Sequence, residues 1–341
     1  MNSDTKILVT GGTGLVGAHL LANLVLEGKS VRATYRKNSN LKAVAQVFSY
    51  YSEDKSLVDK IDWVEADVID IPALSKAFTD ISEVYHCAAM VSFNKKDDTL
   101  MRKINIEGTA NMVNIALANS VSKFCYVSSI ASLGKSIKDK PLNEENEWNP
   151  EAKNYGYAIS KYGGEMEVWR GAQEGLNVVI VNPGVIFGSG LWGNNTGKFF
   201  SNASKSFAYY TTGETGFVGV RDVVKAMLQL MQEEKFNQRY VLVSENLSFQ
   251  YIMTKMAHVL GTKPPSKKVT PLLASIAWLL AWIQAKLTRK QPLITKHTSK
   301  SAQKIQHYDA AKIKKAIGFK FEPIANVIER AGSFYKENNS I

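Results

Sequence analysis

The chain has 341 residues, 45% of them hydrophobic, which is too apolar for disorder and long enough for one large domain or a domain with a smaller partner. The formal net charge is +11, but no long basic run appears, so nucleic acid is not an expected partner. Scattered surface lysines explain the charge, and a phosphorylated cofactor or a membrane surface remain as anionic alternatives.

The start, "MNSDTKILVTGG", lacks a basic stretch followed by an apolar one, so it reads as the approach to a strand and not as a secretory leader. "KILVT" (6–10) is that strand. "GLVGAHLLANLVLEG" (14–28) follows with helical apolar spacing and a terminal glycine. "SVRATY" (30–35) predicts a second strand, the stretch from Asn38 to about Tyr51 a helix, and "IDWVEAD" (61–67) a third strand. Pro72 suits the first turn of another helix. "EVYHCAA" (83–89) reads as a strand, roughly Thr99 to Ala118 as a helix, and "KFCYVSS" (123–129) as a strand. The helix bearing Tyr157 comes next, then the strand "NVVIVNP" (177–183). Such alternation predicts an α/β fold, a doubly wound parallel sheet with helices on both faces.

After Pro183, "GVIFGSGLWGNNTGKFF" reads as an irregular loop over a site. "FVGVRDVVKAMLQLMQ" (217–232) returns to strand and helix, and "RYVLVS" (239–244) is another strand. The segment 271–287 is too short to span a bilayer. Trp278 and Trp282 stand one helical turn apart, with Lys267, Lys268, Arg289 and Lys290 flanking the segment. A lid helix, a subunit contact, ordinary core and a membrane-interface helix all stay open. The two cysteines, Cys87 and Cys125, make no CxxC pair, and neither they nor the five histidines show metal-ligand spacing, so no metal is expected.

"TGGTGLVG" (10–17) lies between the first strand and the first helix, with Gly11, Gly14 and Gly17 spaced G-x-x-G-x-x-G. The chain must turn sharply there, approach a pyrophosphate without a Cβ in the way, and seat the helix close to the sheet. Helix N–H groups from Thr13, Leu15 and Val16 onward then face the anion. A tight structural turn is the plain alternative. At the end of the second strand an acidic residue would favour NAD. "TYRKNSN" (34–40) has none. Arg36, helped by Lys37 or Lys42, suits a 2′-phosphate, so NADP is the expected cofactor with NAD as the alternative. Asp67, with Val68 after it, is placed to meet the adenine amino group or to cap the next helix.

In order along the chain, "TGGTGLVG", "AD" (66–67), "HCAA" (86–89), "NIEGT" (105–109), "YVSS" (126–129) with "YAISK" (157–161), and "NPGVIFG" (182–188) resemble the extended short-chain dehydrogenases/reductases. "FVGVRDV" (217–223) and "YDAAKIKKAIGF" (308–319) extend the resemblance over nearly the whole chain, and "VRATYRK" (31–37) with the tail is most similar to the dihydroflavonol 4-reductase and 3β-hydroxysteroid dehydrogenase subgroup. The resemblance implies a Rossmann-like NAD(P)-binding domain over 1–184 and 217–247. It also implies a smaller, mostly helical substrate domain over 185–216 and 248–335. It implies Tyr157 as acid/base, Lys161 as its partner and Ser129 as the donor to the reacting oxygen, with Ser128 one residue away as the alternative. Asn105 would support a proton path or anchor its helix. Ala88 and Ala89 would line the nicotinamide, and Pro183, Gly184 and Val185 would hold its carboxamide through backbone groups.

Tyr157 and Lys161 at i and i+4 share one helix face. An ammonium about 4 Å away is worth ~4 kcal/mol at an effective dielectric of 20, which would draw the phenol toward neutral pH, desolvation opposing. The family's nucleotide-sugar enzymes often carry proline and arginine after "FG"; here "FGSGLWG" (187–193) follows. Met90, Val91, Phe93, Phe187 and Trp192 would line an apolar pocket for a medium-sized ketone, aldehyde or alcohol. The expectation is an NADP-dependent oxidoreductase of the cytoplasm, monomer or homodimer, peripheral at a membrane if 271–287 touches one. A sugar-nucleotide epimerase or dehydratase and a non-catalytic redox sensor are the competing readings.

Overall fold

The computed structural model describes residues 6–134, 140–192, 196–270 and 301–339, with Leu273, Trp278 and Leu279 besides. Apart from those three, the 271–287 segment lies outside the described residues. Among the described residues no helix is long and apolar enough to cross a membrane.

Seven strands form one parallel sheet in the order β3-β2-β1-β4-β5-β6-β10. They are β1 (Lys6–Thr10), β2 (Val31–Tyr35), β3 (Asp62–Glu65), β4 (Ile81–His86), β5 (Lys123–Val127), β6 (Val178–Pro183) and β10 (Gln238–Leu242). Strand β6 is buried along its whole length, as a central strand covered on both faces must be. Between the strands run α1 (Leu15–Leu26), α2 (Leu41–Phe48), α3 (Ile71–Ala77), α4 (Asp98–Arg102), α5 (Gly108–Ala118), α6 (Gly156–Gln173) and, before β10, α8 (Val220–Gln232). Helix α1 is buried on most of its surface because α2 and α8 pack against it as well as the sheet. Between α4 and α5 the helix widens into a π-turn over Lys103–Glu107. The sheet order reverses between β1 and β4, the switch point at whose carboxyl ends open α/β sheets bind ligands.

A second, smaller sheet joins β7 (Val185–Phe187), β9 (Glu214–Gly219) and β11 (Glu245–Ser248), with β9 central. Helices α7 (Gly197–Ala203), α9 (Phe249–Leu260) and, near the end of the chain, α11 (Ile324–Asn339) build a separate core with it, around Phe187, Phe200, Phe217, Ile252, Met256 and Ile328. A short pair, β8 (Tyr209–Tyr210) with β12 (Lys267–Lys268), lies apart from both sheets.

The two sheets depart from the expected division at three places. Strands β9 and β11 build the small sheet, so 217–219 and 245–247 do not pair with the large one. Helix α10 (Ala311–Ile317) and Phe319 return to the large core, where Ile313 is fully buried. The run after Pro183 is also less irregular than its glycines imply: β7 and α7 form within it, because Val185–Phe187 finds a parallel partner in β9.

Candidate active site

The turn after β1 is built on glycine. Gly11 has φ +68°, and a Cβ there would come within 2.7 Å of the Ala88 backbone, just past β4. A Cβ on Gly17 would run into the Gly11 carbonyl, so α1 can sit this close to the turn only with glycine. The N-cap of α1, Gly14, is exposed and supplies no side-chain cap, so the first-turn N–H groups around Leu15 and Val16 are left for an anion. The residues present therefore fit a pyrophosphate. Thr10 reinforces the turn: its hydroxyl meets His86 Nδ1 at 2.6 Å and accepts from the Ala88 N–H at 3.3 Å. His86 is fully buried and also meets Thr109. Burial holds it down at a pKa of about 3, so it stays neutral.

At the far end of this crevice an open cleft of about 640 Å³ is lined by Arg36, Lys37, Asn38, Glu65, Ala66, Asp67 and Asp70. Lys42 is exposed on α2 and does not line it, so the second cation of the cleft is Lys37. Glu65 stands opposite Tyr35 in the β2–β3 register, a carboxylate that β2 alone does not reveal. Asp67 does not cap α3: its Oδ1 accepts from the Ile69 N–H, and Asp70 takes the capping bond from Ala73. Val68 turns its side chain inward against Gly108 and gives its carbonyl to Asn111, so it offers a ligand no side chain.

Tyr157 lies in the first turn of α6, half-buried, with the Phe93 ring 6.0 Å from its own in an edge-on contact. Ser129, just beyond β5, has its side chain beside the Tyr157 phenol, and its hydroxyl accepts from the Ala131 N–H. Ser128 points the other way, into a buried network with Glu165. Lys161 is 1% exposed and donates to Tyr126 Oη at 2.9 Å and the Val127 carbonyl at 2.8 Å. Its ammonium also lies over the Tyr126 ring, 4.4 Å from the centroid.

This geometry corrects the expected electrostatics. Burial raises the Tyr157 phenol above its ordinary value, and the neighbouring Ser129 hydroxyl only partly offsets it. Lys161 does not act as its counter-charge here, because its ammonium is spent on Tyr126 and Val127. Burial instead lowers Lys161 to about 7, against the opposing pull of Glu165. Asn105 is likewise committed: Oδ1 accepts from the Met90 N–H, and Nδ2 donates to the Met90 carbonyl and Ser160 Oγ. It clamps the segment after β4 to α6 from within the π-turn, a distortion common at functional sites.

A model described as the NAD dependent epimerase/dehydratase family matches residues 7–243. The chain belongs to that family. Among curated relatives, a Synechocystis sp. protein named for dihydroflavonol 4-reductase is 29% identical over 345 residues, 98% of this chain and 95% of that one. Sterol demethylase protein B of Methylococcus capsulatus is 26% identical over 320 residues, 91% of this chain and 92% of that one. The solved structure of gox2253 aligns with a TM-score of 0.81 at 25% identity, over 99% of this chain and 100% of that one. The sheet order and the glycine turn are thus those of an NAD(P)-binding oxidoreductase of the extended short-chain type.

In this epimerase/dehydratase family member the expected apolar wall is only partly present. The exposed Phe93 stands against Tyr157, and Met90 is held through its backbone by Asn105. Phe187 is no part of that wall: it is fully buried, stacked on Phe217 at 5.4 Å in the small core. Trp192 also packs into that core, against Tyr335 at 5.0 Å and Phe200 at 5.3 Å. Both are large apolar side chains in a glycine-rich run, and composition alone does not separate a pocket wall from a core. Ala89 is exposed and Ala88 half-buried beside the glycine turn. Pro183 ends β6, the Gly184 N–H bonds the Leu242 carbonyl, and Val185 opens β7. Missed from sequence were Tyr126, Glu165 and Arg239. Glu165 carried a signal, since it follows Lys161 by one helical turn on the same face.

Proposed function

We propose that the protein is an NADP-dependent oxidoreductase that interconverts a ketone or aldehyde with an alcohol on a medium-sized, largely apolar substrate. The observation that carries this reading is Tyr157, half-buried, with Ser129 beside its phenol and Phe93 facing its ring. The cofactor supplies or accepts the hydride at the reacting carbon. The chain's own residues do the rest. Tyr157 holds a proton, kept on the phenol by burial, and gives it to the carbonyl oxygen as negative charge develops there. Ser129 donates a second hydrogen bond to that oxygen. Lys161 holds positive charge behind the site, and Asn105 fixes the Met90 segment against α6. Arg36 and Lys37 face the adenosine end, where a 2′-phosphate would meet them. The large sheet with the glycine turn serves as the cofactor domain and the small sheet with its helices as the substrate domain.

The family description itself keeps a second reading in view, a sugar-nucleotide epimerase or dehydratase. The two separate in one assay. NADPH absorbance is followed against apolar aldehydes and ketones and, in parallel, sugar nucleotides are analysed for conversion. Stoichiometric loss of NADPH with an apolar carbonyl supports the reductase. Conversion of a sugar nucleotide with no net change in cofactor overturns it.

A further inference from the structure

One buried carboxylate is not used by the mechanism above. Glu165 is fully buried on α6, one turn after Lys161. Its Oε2 accepts from Ser128 Oγ at 2.6 Å, Ser132 Oγ at 2.7 Å and Asn182 Nδ2 at 2.9 Å. Its Oε1 takes a 3.0 Å charged bond from Arg239 Nη1. Four polar groups, one of them a guanidinium, thus converge on one buried carboxylate. Two of those groups also reach Ser129. Asn182 Nδ2, with two protons, lies 3.2 Å from the Ser129 carbonyl, and the single Ser132 hydroxyl proton is shared between Glu165 and that carbonyl at 2.7 Å. Arg239 is anchored in turn by the carbonyls of Glu144 and Asn146. A single carboxylate therefore joins the Ser129 turn, the end of β6 before Pro183, strand β10 and the helix bearing Tyr157 and Lys161.

We propose that Glu165 is a positioning residue of the reaction, fixing the Ser129 backbone and acting as the buried counter-charge that keeps the Lys161 ammonium protonated. The inference rests on the functional reading above. The other groups facing Lys161 cannot take the second role. Tyr126 on β5, and Cys87 and His86 at the end of β4, are held neutral by burial, the first two raised and His86 lowered. Tyr157, one turn earlier on α6, keeps its proton. Arg239 lies behind Glu165 and has the wrong sign. Against the full burial of Lys161, the attraction of Glu165 is the largest influence that favours its charged form.

The test uses Glu165→Gln, which keeps size and acceptor oxygen but loses charge, and Glu165→Asp, which keeps charge. Lys161 is followed by NMR of 15Nζ-labelled protein as pH is varied, and the pH profile of kcat/KM is measured with NADPH. A lysine loses its charge as pH rises through its pKa, so removing the counter-charge should bring that loss to lower pH. In Glu165→Gln both the Lys161 titration and the alkaline limb of the profile should move down by about one pH unit or more. Above that limb kcat/KM then falls about tenfold, because each pH unit is a decade in the charged fraction. Glu165→Asp should keep the Lys161 titration near that of the wild type. If Glu165→Gln unfolds because Arg239 is left unpaired, Glu165→Gln/Arg239→Gln removes both charges and should still give a downward shift, smaller because a repelling cation is lost as well. An unmoved Lys161 titration in a folded variant overturns the inference, whatever the activity. Failure of the functional reading shows elsewhere, as turnover that survives Tyr157→Phe.

Discussion

Tyr157 and Lys161 are legible in sequence because four residues on a helix put two side chains on one face. Which atoms they touch is not legible. The ammonium has two acceptors from β5, Tyr126 Oη and the Val127 carbonyl, and both lie more than thirty residues away in sequence. Spacing alone therefore gives the wrong sign for the Tyr157 phenol, which burial raises. The choice between Ser128 and Ser129 also needs the fold: adjacent residues beyond a strand point to opposite sides, and only Ser128 reaches Glu165. In the proposed function Arg36 carries the cofactor choice. Charge-assisted hydrogen bonds from it to a 2′-phosphate would be worth about 1.5–3 kcal/mol, or roughly a 10- to 150-fold preference for NADPH over NADH. Arg36→Ala should remove most of that preference through weaker NADPH binding, with NADH affinity little changed. Equal Kd values for the two cofactors in the wild type would instead mean that Glu65, Asp67 and Asp70 set the character of the cleft.

At the scale of elements, the alternation of short β-branched runs with amphipathic stretches gives the parallel sheet correctly, because buried strands need such runs. The small sheet is less readable. Its strands are short, pair out of chain order, and come from a run whose glycines resemble a loop. Phe187 and Trp192 read as pocket walls for the same reason, since sequence shows apolar side chains but not which surface covers them. The β1–α1 turn is the element whose sequence and geometry agree best. Gly17→Ala should cost about 1–3 kcal/mol of stability by forcing α1 off the Gly11 carbonyl. It should also weaken NADPH binding, because the first-turn N–H groups move with the helix. Thermal unfolding and a cofactor titration check both effects. A variant with unchanged Tm and unchanged Kd would show that the turn is not held by this contact.

At the scale of the molecule, His19 ties α1 to the run after β7. It is fully buried between Tyr51 Oη at 2.6 Å and the Ser189 carbonyl at 2.9 Å. Burial lowers its pKa to about 4, whereas in the unfolded chain a histidine titrates near 6.5. Between those values the unfolded state binds the proton and the folded state does not, so His19 removes stability as pH falls from 6.5 toward 4. Asp222, raised to about 6 by burial, and Glu144, raised likewise, act in the opposite direction over part of that window. The comparison is therefore wild type with His19→Gln, in which those acids are common to both. Relative to the variant, the wild type should lose up to about 1.4 kcal/mol per pH unit below 6.5 in urea unfolding. A constant difference from pH 7 to 4.5 would mean that His19 is not held neutral.

The central claim, that Tyr157 is the proton donor of a carbonyl reduction, is tested most directly by Tyr157→Phe. NADPH binding is measured by titration, and NADPH oxidation in single turnover with an apolar carbonyl that the wild type reduces. The phenol proton is needed only in the transition state, whereas the glycine turn carries the pyrophosphate. The variant should bind NADPH nearly as tightly as the wild type and fail to oxidise it. Oxidation by the variant at a rate comparable with the wild type would contradict the assignment.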